Sequence, residues 1–130
     1  MAKIATCRCG AVRVACEGEP VRVSACHCLA CQQRSGSAFA AQVRFPESRV
    51  RVSGNTREWV RVADSGNRVT YSFCPECGST AHYRIDAQPG IVAVPLGNLA
   101  ESGAFAPRFS VWESRKQPWA EVTGDVAHSR

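Results

Sequence analysis

Apolar and polar residues alternate with a period of two over most of the chain. Between Ala11 and Cys16, Val12, Val14 and Cys16 fall on one side and Arg13 on the other. That pattern marks a half-buried strand, because successive side chains of extended backbone point to opposite faces. After the turn Gly18-Glu19-Pro20, the residues Val21, Val23 and Ala25 predict a second strand. Phe39, Ala41, Val43 and Phe45 predict a third, ended by Pro46, and Val50 and Val52 resume it after a short loop. Beyond Gly54-Asn55 the stretch Glu58 to Val62 extends again, with Val60 and Val62 opposite Trp59. Ser65-Gly66-Asn67 turns the chain into Val69, Tyr71 and Phe73; Ala81, Tyr83 and Ile85 follow, then the fully apolar run Ile91 to Val94. A last strand is predicted over Arg108 to Trp112. Leu29 to Ser35 has room for one or two helical turns before Gly36 stops it. Short strands at nearly regular spacing, with turn residues between them, predict a mainly β, all-β domain.

At 130 residues there is room for one modest core. Residues 1–124 read as a single domain and residues 125–130, polar and small, as a frayed tail. No run of 18 apolar residues is present, and the start Met1 to Cys7 lacks the apolar segment of a signal peptide. A cytoplasmic, reducing setting is the expectation, with no membrane partner. The formal charge of +5 would suggest an acidic partner if all cysteines stayed neutral. The arginines are scattered along alternating strands and read as solvated strand faces. No lysine-rich strip interleaved with aromatics appears, so no nucleic-acid partner is expected.

The chemistry lies in the cysteines. Seven of the eight fall in three clusters: Cys7-Arg8-Cys9-Gly10, Cys26-His27-Cys28-Leu29-Ala30-Cys31 and Cys74-Pro75-Glu76-Cys77-Gly78. In a reducing compartment such spacings suit a metal better than a disulfide framework. Two pairs supply the four thiolates of a closed, structural zinc site. Three thiolates leave one position open, as in catalytic zinc.

These residues carry a resemblance. C-R-C-G-A-V-R-V, C-H-C-L-A-C-Q-Q-R-S-G-S-A-F and F-C-P-E-C-G-S, in that order, resemble the glutathione-dependent formaldehyde-activating enzyme family, also called the centromere protein V family. The segment Pro107 to Trp119, with Val111-Trp112-Glu113-Ser114 and Pro118-Trp119, is similar to the family's ending. The resemblance implies a small zinc-stabilised fold of two packed antiparallel sheets, related to peptide methionine sulfoxide reductase B and a Rab-binding zinc protein. It implies two zinc ions as cofactors: a structural one on Cys7, Cys9, Cys74 and Cys77, and a catalytic one on Cys26, Cys28 and Cys31. It also implies a carbon–sulfur lyase that joins a small-molecule thiol such as glutathione to formaldehyde, giving S-(hydroxymethyl)glutathione. Many members carry a His two positions before Trp112, where this chain has Ser110.

A zinc held by three thiolates is a modest Lewis acid but suits the holding of a fourth, exogenous thiol as thiolate. Arg34 is placed to counter the negative cluster or a substrate carboxylate, and equally reads as a solvated residue at a helix end. His27, between two ligands, is expected to point away from the metal, and His82 to have no ligand role. Cys16 shares a face with Val12 and Val14 and reads as a buried hydrophobe. The alternative function is a zinc-stabilised binding module without catalysis. Methionine sulfoxide reduction ranks behind both, since only Cys16 remains free for it.

Overall fold

The structure, a computed structural model, describes residues 2–130. Among them the strands are β1 (Ala2–Thr6), β2 (Arg13–Glu17), β3 (Arg22–Cys26), β4 (Ala40–Pro46), β5 (Val50–Ser53), β6 (Arg57–Val62), β7 (Arg68–Phe73), β8 (Thr80–Ile85), β9 (Ile91–Pro95), β10 (Phe109–Val111) and β11 (Ala127–His128). The α-helix α1 spans Leu29–Ser35. It ends where expected: Gly36 sits at φ 66° and its N–H donates to the Gln32 carbonyl at 2.8 Å.

The strands form two sheets. A small one has the order β1-β2-β5, and a large one runs β11-β10-β3-β4-β9-β8-β7-β6. Both are antiparallel except where β10 pairs parallel with β3 and with β11. The core lies between the sheets. Val14 and Cys16 of β2 meet Val23, Val43, Phe45, Val92 and Val94 of the large sheet there, all buried. Alternation then sends the neighbours of these residues to the opposite face of the large sheet. On that outer face Tyr71, Tyr83, Val69 and Ala93 form a second, smaller cluster. Tyr71 stacks between Trp59 and Tyr83, at centroid distances of 6.0 and 5.4 Å.

Three features depart from the sequence reading. The stretch Ala2–Thr6 is a full strand, although only Ala5 of it is buried in the core. The ladder between β7 and β8 slips at Ser72/Phe73, so that Ala81 joins the inter-sheet core while Tyr83 and Ile85 face outward. A bulge of this kind re-aims side chains at the end of a strand. The tail expected to fray instead supplies β11. Ala127 donates to the Arg108 carbonyl at 3.0 Å, Ser129 to that of Ser110 at 2.9 Å, and Glu113 to that of Ser129 at 3.0 Å. The side chains of His128 and Glu113 add a hydrogen bond at 2.7 Å between Nδ1 and Oε2.

A docked tail has a measurable consequence. Truncation after Gly124 should lower the melting temperature by about 3–8 °C, the equivalent of roughly 1–2 kcal/mol. An unchanged melting curve would mean that these residues contribute nothing to the fold.

Candidate metal centre

The first thiol cluster joins two turns that are far apart in sequence. Cys7 follows β1, and Gly10, at φ 84°, closes its turn by donating to the Cys7 carbonyl at 3.1 Å. Cys74 follows β7, and Gly78, at φ 78°, closes the second turn onto the Cys74 carbonyl at 2.8 Å. A residue with a Cβ is strained at such dihedrals, so glycine permits both knuckles. The sulfurs of Cys7, Cys9, Cys74 and Cys77 lie within 4.8 Å of one another. Cys9 stands 3.7 Å from both Cys7 and Cys74. Tetrahedral zinc with sulfur at about 2.3 Å requires sulfurs roughly 3.8 Å apart, whereas a disulfide needs about 2.05 Å. The spacing therefore fits a metal.

Backbone donors prepare these sulfurs for negative charge. The Val12 N–H reaches Cys7 Sγ at 3.2 Å and the Glu76 N–H reaches Cys74 Sγ at 3.4 Å. The Ser79 hydroxyl, 2.9 Å from Cys77 Sγ, is the main reason that thiol is pushed down to about 5, with the Ser79 and Cys9 N–H groups adding to it. Cys7 and Cys74 are buried, and both belong to the inter-sheet core.

The second cluster opens on the other face of the large sheet. Cys26 ends β3, Cys28 caps α1, and Cys31 lies in its first turn. Their sulfurs are likewise within 4.8 Å of one another, and the Cys31 N–H donates to Cys28 Sγ at 3.4 Å. The thiols of Cys26 and Cys31 hold Cys28 down to about 2, and the same sharing pushes Cys31 up. Both clusters could hold a metal ion, and all-thiolate donor sets of this size suit zinc.

The backbone of the second cluster is locked from behind. Gln32 Nε2 donates to the carbonyls of His27 at 2.7 Å and Arg115 at 3.0 Å, and its Oε1 accepts from Gln117 Nε2 at 3.0 Å. His27 is fully buried, tilted against Phe39, with Nε2 2.9 Å from Ser110 Oγ. Ser110 in turn donates to Glu113 Oε2 at 2.6 Å, so His27 supplies the proton of its own bond. Trp112 takes the left-handed backbone, φ 57°, between these anchors. His27 thus points away from the thiols, as expected. His82 is buried and belongs to neither cluster, and Cys16 is buried in the core.

The three thiols of the second cluster line a cavity of about 520 Å³, within the usual range for small-ligand sites. Tyr71, Tyr83, Val69, Ile85 and Trp112 form apolar parts of its wall. Arg22, Arg34, Arg44 and Arg61 line it as well, with Arg130 of the C-terminus, and among the described residues no Asp or Glu side chain does. For Arg22, Arg34, Arg44 and Arg61 the expectation of solvated arginines is corrected here, whereas Arg13, Arg51, Arg57 and Arg68 are exposed as expected. Arg34 lies over the rings of Tyr83 and Tyr71, 5.2 and 5.8 Å from their centroids, and the other three converge on the same space.

Residues 2–115, most of the chain, match the family described as glutathione-dependent formaldehyde-activating enzyme. The chain belongs to this family. The formaldehyde-activating match ends at Arg115 and leaves β11 outside it. A similar fold occurs in the crystal structure of a Rhodobacter sphaeroides protein, with a TM-score of 0.60 and 23% identity over 75% of this chain and 88% of the other. No curated protein matches the sequence.

Sequence reasoning brought all seven clustered cysteines into view and missed the floor and rim of this family member's cavity. Ser24, Gln42, Arg44 and Trp112 carry no motif. Their only signal is the polar half of an alternating strand pair, and for Trp112 its place in the family's ending.

The two clusters should respond differently to loss of a ligand. Cys74→Ala opens a metal site inside the core and should unfold the domain or lower its melting temperature severely, because metal binding to a closed site contributes directly to folding. Cys28→Ala, on the cavity face, should leave the far-ultraviolet circular dichroism near that of the parent. Equal melting temperatures for the two variants would contradict this division.

Proposed function

We propose that the chain is a zinc-dependent carbon–sulfur lyase that adds a small-molecule thiol, such as glutathione, to formaldehyde or a related small carbonyl. The product with glutathione would be S-(hydroxymethyl)glutathione. The observation that carries the reading is a three-thiol cluster opening onto a cavity, beside a separate four-thiol cluster, in a chain of the formaldehyde-activating family.

Cys7, Cys9, Cys74 and Cys77 would hold a structural zinc, and Cys26, Cys28 and Cys31 a catalytic one. Zinc bound by the second set supplies the positive centre that keeps an incoming thiol deprotonated near neutral pH. The other contributions come from the chain. Cys26, Cys28 and Cys31 are fixed by β3, by α1 and by the Gln32 contacts to the carbonyls of His27 and Arg115. The apolar wall around Tyr71, Tyr83 and Val69 limits water at the reacting carbon. Burial pushes both tyrosines up, so their phenols stay protonated and serve as hydrogen-bond donors. Arg34 adds positive charge and has no carboxylate partner among the described residues. In the net reaction the thiol S–H and the carbonyl π bond are lost, and a C–S bond and an O–H bond form. Holding the two reactants together in the right orientation is worth up to about 7–11 kcal/mol.

The test is exchange spectroscopy with carbon-13 formaldehyde and glutathione. The zinc-loaded protein should speed interconversion of free and thiol-bound formaldehyde well above the spontaneous rate, and Cys28→Ala should abolish the gain. A rate equal to the spontaneous one would overturn the lyase reading in favour of a zinc-stabilised binding module.

A further inference from the structure

The cavity extends beyond the three thiols along the ladder between β3 and β4. In that register Cys26 faces Ala40, Ser24 faces Gln42, and Arg22 faces Arg44. Residues two apart share a face, so thiol, amide and guanidinium groups follow one another along the cavity floor. From Cys26 to Arg22 is four residues, about 13 Å at roughly 3.3 Å each.

Charge and hydrogen bonding at the far end are both incomplete. Arg22 and Arg44 stand directly opposite each other, and like charges in that position repel. Neither has a carboxylate partner among the described residues. Burial and then the Arg44 charge push the Arg22 guanidinium down. Arg22 does lie over the Phe109 ring at 4.1 Å, which orients it but does not neutralise it. Arg44 Nη1 and Gln42 Nε2 both donate to Ser24 Oγ, at 2.9 and 3.1 Å. Arg44 Nε and Gln42 Oε1, both buried, have no partner among the described residues. Gln42 is only 1% exposed. Buried polar atoms left unpaired are costly and mark places where a partner belongs.

The arginine pair is not needed to balance the thiolates. Arg34, which lines the same cavity over Tyr83 and Tyr71, already supplies positive charge on the thiol side.

We propose that Arg22, Arg44 and Gln42 form a carboxylate-binding subsite for the far end of a peptidic thiol whose sulfur lies at Cys26, Cys28 and Cys31. The two guanidinium groups take the carboxylate, and Gln42 Oε1 accepts an amide N–H between carboxylate and sulfur. The arginine side chains reach back toward the thiols, and one or two further residues of extended ligand, at about 3.3–3.6 Å each, cover the rest. The assignment of the sulfur end rests on the proposed thiol chemistry; the carboxylate end stands on its own geometry.

The experiment separates the two. S-Methylglutathione keeps the carboxylates and amides but cannot supply a thiolate. Its binding to the full zinc-loaded chain is measured by calorimetry, beside that of its diethyl ester, in the parent, Arg44→Gln, Arg44→Lys and Arg22→Gln. The acid should bind at millimolar concentration or below. Arg44→Gln and esterification should each weaken it about tenfold or more, as loss of a charge-assisted hydrogen bond does. The two losses should not add, and Arg44→Lys should recover part of the affinity. Circular dichroism checks that each variant is folded. No binding of the acid to the parent, or equal binding of acid and ester, would overturn the subsite. In parallel, glutathione is added to the cobalt-substituted protein. Unchanged sulfur-to-cobalt bands would refute the thiol end while the calorimetric dependence on Arg44 remained readable.

Discussion

Four sulfurs, two from each sheet of this protein, meet in one cluster that could hold a metal ion. Cys7 and Cys9 come from the turn between two strands of the small sheet, and Cys74 and Cys77 from the turn between two strands of the large one. The contact between Cys9 and Cys74 spans 65 residues of chain. A clip that closes so long a loop removes much of the freedom of the unfolded chain. It matters the more because a domain of 130 residues has only a modest core to offset that entropy. Val12, Val14, Val43, Phe45, Val92 and Val94 pack around the buried half of the clip. Core and cluster are therefore one structure, with Cys7 and Cys74 forming part of the apolar packing.

The two faces of the large sheet carry different chemistry. Its inner face carries the inter-sheet core and, at one end, the closed cluster. Its outer face carries the three-thiol cluster, the tyrosines and the arginines. Because strand side chains alternate, a single strand serves both. In β3, Val23 packs into the core while Arg22, Ser24 and Cys26 line the cavity. The C-terminal segment supports the arrangement by clamping the backbone behind the open cluster, through Ser110 on His27 and through Arg115 and Gln117 on Gln32.

Much of this was legible in the sequence. Cysteine spacing alone divides the seven thiols into a set of four and a set of three, because metal ligands at short intervals constrain the local backbone. The alternating runs located most strands, and Gly36 marked the end of α1. Other features were hidden for identifiable reasons. Ala2–Thr6 and Ala127–His128 bury too little to leave a hydrophobic pattern, and both are held by backbone pairing, β1 on β2 and β11 on β10. The cavity arginines were misread because alternation tells which residues share a face, and says nothing of whether that face meets water or a cavity. Arg22 and Arg44 come together only through the register of β3 on β4. Ser110 gains meaning only once His27 is seen against it.

The central claim is that two thiol clusters on opposite faces of one sheet do different work, one holding the fold and one holding the reaction. Native mass spectrometry of the zinc-loaded chain during stepwise chelation tests it most directly. Two zinc ions should be present at the start. The first should leave with the charge-state distribution of a folded protein unchanged, and loss of the second should coincide with unfolding. Loss of both in a single step together with the fold, or removal of both with the fold intact, would contradict the account.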